Sequence, residues 1–364
     1  MRVAVLDSKM GCASHRIDLI RTIAILMVII LHAAIETDPI VAQMTQASVW
    51  HWWTENIYNS LARPCIPLFV MLSGSLLLQP SKIEPLGEFF RKRFNRIGLP
   101  FLFWGTAYFA WRFLVNHEAL SSSSILQGIL TGPYYHFWFL YALVGLYLIT
   151  PILRVIVAYA DRKTLGYFIL LWFLGVAIVP LLSLSGTYSL DGNVFVILGW
   201  IGYYLLGVYL LPETPRTSNL YVVLILGLTW TVVGTYIMTA YFGGARSYFF
   251  YDYLSVNVIL TSVALFLLLR TAPLIQFGTH FRWASQLLRQ ISQNTLPIYL
   301  FHVMILESLQ KGYFGFKISV TTLNPAIEIP LVAVLALFIS LGGINLLGRI
   351  PFLKKVIGSV FSAS

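Results

Sequence analysis

Apolar stretches of membrane-spanning length recur roughly ten times along this chain, and that recurrence decides its class of fold before any single residue is weighed. They lie at roughly 17 to 36, 57 to 79, 99 to 116, 136 to 158, 165 to 183, 193 to 211, 219 to 242, 250 to 270, 290 to 309 and 326 to 348. In hydrocarbon, backbone N–H and C=O groups find no water. Each stretch therefore predicts a helix, and the whole an all-α, polytopic transmembrane bundle of about ten spans. Of 364 residues, 58% are hydrophobic and 10% charged, too little polar material to cover a soluble globule of this size.

The net charge of +10 would suit nucleic acid or anionic lipid, but its distribution explains it better. With the N-terminus cytoplasmic, the inner segments carry Arg2, Lys9, Arg16; Lys82, Arg91, Lys92, Arg93, Arg96; Arg154, Arg162, Lys163; Arg216; Arg270, Arg282, Arg289; and Arg349, Lys354, Lys355. The outer loops keep Arg246, Lys311 and Lys317, while Arg21, Arg63 and Arg112 fall within or at the edge of spans. This is the positive-inside asymmetry, and it places both termini in the cytoplasm with no nucleic-acid partner required. Residues 1–16 and 351–364 read as cytoplasmic tails on a transmembrane domain, 17–350. The largest connections, Glu36 to Asn56 and 271 to 289, are too short for a second domain. No internal repeat is present, and Ser121 to Ser124 is the one low-complexity patch. Cys12 and Cys65 are badly placed for a disulfide framework, and Cys65 reads as buried and inert. The basic start imitates a signal peptide, but Asp18 and Arg21 interrupt its apolar region and predict an uncleaved first span.

That first span, RIDLIRTIAILMVIILHAA from Arg16 to Ala34, carries three residues that hydrocarbon does not welcome: Asp18, Arg21 and His32. An ionisable group inside a spanning helix is by default a functional candidate. Eleven positions separate Arg21 from His32, which is three turns plus roughly 20° and a rise of about 16 Å. Both therefore face one side of the helix, with Asp18 beside Arg21. A histidine that merely satisfies a neighbouring helix is the competing reading of His32.

Other helices tip that balance. His302, in NTLPIYLFHVMILES, reaches the same outer half of the membrane from the inside, with Glu307 one or two turns beyond. Arg63, in SLARPCIPLFVMLSG, descends to a similar depth from the outside. A neutral histidine at such a place can act as general base and an arginine can stabilise an oxyanion. On the inner face, FFRKRFNRIGLP, residues 89 to 100, sets Arg91, Lys92, Arg93 and Arg96 directly before a span. Read plainly, it determines topology and binds anionic lipid. Read more sharply, it is a phosphate clamp to which Arg21 adds. His136, opening HFWFLYALVGLYLITP, could line an acceptor mouth, and Trp53, with Trp50 and Trp52, could stack on a sugar ring, although interfacial anchoring is the commoner fate of tryptophan here. Asp191, Asp252 and Arg246 carry little information by themselves. No Walker-type loop, zinc spacing or nucleophile elbow is present, which disfavours an ATP-driven pump and a zinc enzyme.

Over nearly its whole length the chain resembles the acyltransferase 3 family of integral membrane acyltransferases. The family's marker is a basic residue, ten intervening residues and a histidine in the first span, which Arg21 and His32 match. RPCIPLFVMLSG (63 to 74), FFRKRFNRIGLP, HFWFLYALVGLY and NTLPIYLFHVMI (294 to 305) follow in the family's order. The resemblance implies transfer of an acyl group, usually acetyl, from cytoplasmic acetyl-CoA to hydroxyls of extracytoplasmic or lipid-linked carbohydrate, at a bacterial cytoplasmic (inner) membrane, with polysaccharide assembly proteins as candidate partners. The resemblance is to the stand-alone form, and the expectation is a protein without the SGNH-type domain of some members.

Joined to the residues, the resemblance yields an expectation. Arg21, Arg91, Arg93 and Arg96 bind the CoA phosphates. His32 is the base or transient nucleophile, with Arg63 and His302 completing the catalytic group. His136, Glu307 and Trp53 receive the acceptor, and no metal takes part. The competing class is a proton-coupled transporter or flippase for a lipid-linked glycan, which would use the same buried ionisable groups.

Overall fold

The computed structural model describes residues 2–34, 49–80, 84–184, 199–272, 282–319 and 322–359, with side chains from residue 14 onward except those of 245 and 282. Lys82, Asp191, the loop from Glu36 to 48 and the first part of the stretch from 193 lie outside the described residues, as do the side chains of Arg2, Lys9 and Cys12. The described chain is helical and has no strand among its described residues, in line with an all-α polytopic bundle. Among the described residues seven helical stretches are long and apolar enough to cross a membrane: Ser14–Ala34, Val49–Leu77, Ser122–Tyr159, Arg162–Ser183, Thr217–Tyr241, Arg246–Thr271 and Pro325–Leu347.

Helix α1 (Arg2–Ala34) runs without a break through the boundary expected at residue 16. The second span is divided into α2 (Val49–Ala62) and α3 (Cys65–Leu77). Pro64 causes the division, because its ring removes a donor and clashes with the carbonyl one turn back. Helix α4 (Leu86–Arg93) continues through a π-helical turn, Phe94–Gly98, into α5 (Leu99–Leu114), and α6 (Ser122–Thr131) follows. A 3₁₀ turn, Tyr135–Phe137, leads into α7 (Trp138–Tyr159). Helix α8 (Arg162–Phe173) passes through a second π turn, Leu174–Ile178, into α9 (Val179–Ser183). Then come α10 (Gly199–Tyr209), α11 (Thr217–Tyr241) and α12 (Val256–Thr271).

The connection expected at 271 to 289 contains most of a helix, α13 (Arg282–Gln293), separated by Asn294 from α14 (Thr295–Lys311). Its polar composition hid it from a search for apolar runs. Helices α15 (Pro325–Leu347) and α16 (Pro351–Val356) complete the described chain.

Helix α1 is the hub, packing against α2, α3, α12, α13, α14 and α15. Its inward residues Ala24, Ile25, Val28 and Ile29 are almost wholly buried, which seats the polar residues of the same helix inside protein. The tightest crossing is between α3 and α10. A Cβ on Gly74 would lie 1.8 Å from the Tyr204 carbonyl oxygen, and one on Gly207 would lie 1.9 Å from that of Met71. Only hydrogen fits at either place, which is how small residues let transmembrane backbones approach.

Candidate active site

His32 stands near the end of α1 and His302 midway along α14, and the bundle brings their rings together. Nδ1 of His32 lies 2.7 Å from Nε2 of His302, with the rings stacked at 5.0 Å between centroids. Nδ1 of His302 lies 2.7 Å from the Tyr299 carbonyl oxygen and 3.2 Å from that of Ile298. Carbonyls only accept, so this nitrogen carries the hydrogen, and a neutral His302 turns its Nε2 lone pair to His32. Nδ1 of His32 must then be the donor, which leaves its Nε2 with a free lone pair. His302 is wholly buried, whereas part of His32 remains accessible.

His136 completes the group from the 3₁₀ turn before α7. Its ring centroid is 5.7 Å from that of His302 and 6.3 Å from that of His32. His136, expected to line an acceptor mouth, is wholly buried, because the turn folds inward beneath Tyr134 and Tyr135. The exposed ring beside His32 is that of Tyr135, 5.4 Å away. Among the described residues no group of three His, Cys, Asp or Glu side chains is arranged to hold a metal ion.

Arg63 sits at the α2–α3 division, its Nη2 donating to Asn59 Oδ1 at 2.8 Å and its Cζ 4.3 Å from the centre of the Tyr251 ring. It forms no hydrogen bond with either histidine, but its charge acts on His32 through space. Cys65, next along, is free and buried. Glu307 is a junction rather than an open carboxylate: it accepts from Trp111 Nε1 at 2.8 Å, from the Tyr134 hydroxyl, and from Lys311 Nζ at 3.3 Å. The ring contacts of Trp53 are with Trp52 and Tyr236, away from the histidines.

At the inner end a cavity of about 800 Å³, open to solvent, is lined by Arg21 and Arg96, by Ser292, Gln293 and Thr295, and higher up by Phe69, Phe139 and Tyr299. The π turn carries Arg96, and one extra residue per turn there re-aims side chains relative to an α-helix. The four cations expected to act together are divided. Arg21 and Arg96 share this cavity. Arg93 is drawn to Glu84, 3.9 Å away, and Arg91 is exposed and lines none of it. Glu84 also binds Lys92 and Arg154, each at 3.1 Å. Desolvation opposes its charge, but the hydrogen bonds from Lys92 and Arg154 prevail and hold its carboxyl below the usual range. Asp18 accepts from the Ser292 hydroxyl at 2.6 Å, tying α1 to α13, and acts on Arg21 only through space.

Sequence reasoning passed over Tyr147, Ser292, Gln293, Thr295 and Tyr299, all of which line the cavity. Only Tyr299 carried a signal, lying three residues before His302 and so on the same helical face.

A family model described as an acyltransferase domain matches residues 14–344, nearly the whole chain, including Arg21, Arg96 and the three histidines. The chain belongs to the acyltransferase 3 family. No curated protein and no solved structure matches it. Membership makes the protein a multi-pass membrane acyltransferase, and the Arg21–His32 pair of its first helix spans from the inner cavity to the histidine group. One acyltransferase 3 span thus carries a cation into the inner cavity and a histidine into contact with His302.

Proposed function

We propose that the protein transfers an acyl group, acetyl in the first instance, from acyl-CoA on the cytoplasmic side to a hydroxyl of an extracytoplasmic or lipid-linked sugar, in a bacterial inner membrane. The observation that carries the reading is the hydrogen-bond chain from the Tyr299 carbonyl through His302 to His32, which leaves one bare imidazole nitrogen partly accessible in the middle of an apolar bundle. A nitrogen in that state takes a proton from a hydroxyl, and the partner on its other side steadies the imidazolium that forms.

In the proposed reaction the acceptor oxygen bonds to the thioester carbonyl carbon while its proton passes to Nε2 of His32. The tetrahedral oxyanion forms within the field of Arg63. The C–S bond then breaks, and the leaving thiolate takes the proton back from His32. His302 is a positioning residue, since it touches His32 and the backbone. Arg21 and Arg96 suit the donor's phosphates, and the apolar residues Phe69, Phe139 and Leu143 of the same cavity suit its pantetheine arm. By accepting hydrogen bonds from Trp111, Tyr134 and Lys311, Glu307 orients aromatic rings that would line the sugar's approach from outside.

Purified protein incubated with labelled acetyl-CoA and isolated cell-envelope polysaccharide tests this. His32→Ala should lower transfer by about 10²-fold or more, with donor binding retained. Arg21→Ala with Arg96→Ala should weaken donor binding. Full acetylation by His32→Ala would remove His32 from the chemistry, and glycan crossing the membrane unmodified would favour a transporter.

A further inference from the structure

The inner cavity stops one helical turn short of the histidines. Tyr299 lines it, and none of His32, His136 and His302 does. The Tyr299 ring lies 5.8 Å from His302, 5.6 Å from His136 and 5.7 Å from Phe139, centroid to centroid, and is 4% exposed. Its hydroxyl donates to the His136 backbone carbonyl. One side chain thus borders both the donor cavity and the histidine group.

We propose that Tyr299 is the partition of the reaction path: it separates a thioester in the inner cavity from His32 and keeps it from water until an acceptor is in place. This rests on the acyl-CoA reading of the cavity. Two details fit a part that moves. The hydroxyl makes one neutral hydrogen bond, to a backbone carbonyl, and the rest of what holds the ring is non-directional packing against His302, His136 and Phe139. The bond that fixes the His302 tautomer goes to the Tyr299 carbonyl, not to its hydroxyl, so the ring can turn without disturbing the His32–His302 chain.

With the ring aside and a sugar hydroxyl present, transfer proceeds as above. With the ring aside and no acceptor, water replaces it. The water oxygen bonds to the carbonyl carbon, a water proton passes to Nε2 of His32, the C–S bond breaks, and the thiolate takes that proton. The products are free carboxylic acid and free CoA thiol. Restricting the path to moments when an acceptor is present is a task that an enzyme joining two sides of a membrane cannot leave to diffusion.

The experiment measures thiol release from acetyl-CoA by the purified, full-length protein with and without cell-envelope polysaccharide, for wild type, Tyr299→Ala and Tyr299→Phe. Release without acceptor, relative to transfer, should rise about tenfold in Tyr299→Ala, because water reaches a thioester beside a general base. It should rise by a smaller factor in Tyr299→Phe, which loses only the latch. His32→Ala added to either variant should abolish the excess. If Tyr299→Ala does not fold, Tyr299→Phe still decides. An unchanged ratio in a wild type that does transfer, or a leak that survives His32→Ala, overturns the partition alone. A wild type that neither transfers nor hydrolyses acetyl-CoA overturns the acyl-transfer reading, and the partition with it.

Discussion

His302 touches His32 with one nitrogen and the backbone with the other, so its contribution is orientation. His302→Gln should therefore lower kcat by about 10 to 100-fold while leaving the donor KM near its wild-type value, measured by steady-state acetyl transfer. At this scale the sequence was partly legible. His32, His302, Arg21 and Arg63 are conspicuous because ionisable groups in apolar helices are costly and rarely accidental. The roles were less legible, because a role depends on which atom faces which. Spacing along α14 cannot reveal that His302 Nδ1 is committed to a carbonyl, nor that the carboxylate of Glu307 already holds three donors. Nor does it reveal two wholly buried carboxylates, Glu55 in α2 and Glu328 in α15.

Among elements, the α3–α10 crossing depends on hydrogen where any side chain would collide with a carbonyl. Gly74→Ala should destabilise the protein by about 1–3 kcal/mol or more, read as a lowered midpoint of thermal unfolding in detergent. The inner surface supplies a second test. Glu84 joins α4, through Lys92 and Arg93, to Arg154 of α7, and its carboxyl is held below its ordinary 4.5. A group depressed on folding stabilises above its unfolded value, and that stability is lost as pH falls through the folded one. Glu84→Gln should thus be less stable than wild type at pH 7, and the gap should close as the pH is taken below 4.5, in paired melting curves. Elements that were long and apolar were legible. The division at Pro64 was written as Arg-Pro yet hidden within an apolar run, and α13 was hidden by its polarity. The division of the inner arginines between Glu84 and the cavity depends on the π turn at Phe94–Gly98, whose extra residue per turn leaves no mark in the sequence.

For the whole molecule, the charge asymmetry predicts sidedness. In a Cys12→Ser background, Ser123→Cys should react with a membrane-impermeant maleimide added outside intact cells, and Ser218→Cys should react only after the membrane is opened. Labelling of both from outside would overturn the assigned topology. The class of fold was legible because the bilayer permits so few solutions. The arrangement of helices around α1 was not, since hydropathy says which segments cross and nothing of which ones touch.

The His32–His302 contact joins residues 270 positions apart. During synthesis at roughly 5–20 residues per second, the first helix is made on the order of tens of seconds before the helix that completes its hydrogen bond. Asp18, Arg21 and His32 must spend that interval without Ser292, the completed inner cavity or His302. The least comfortable helix of the bundle is thus the earliest made. Its late partners explain why the pieces of such a site cannot be tested by truncation, since every shortened chain that ends before α14 leaves a charged first helix waiting for a neighbour that never arrives.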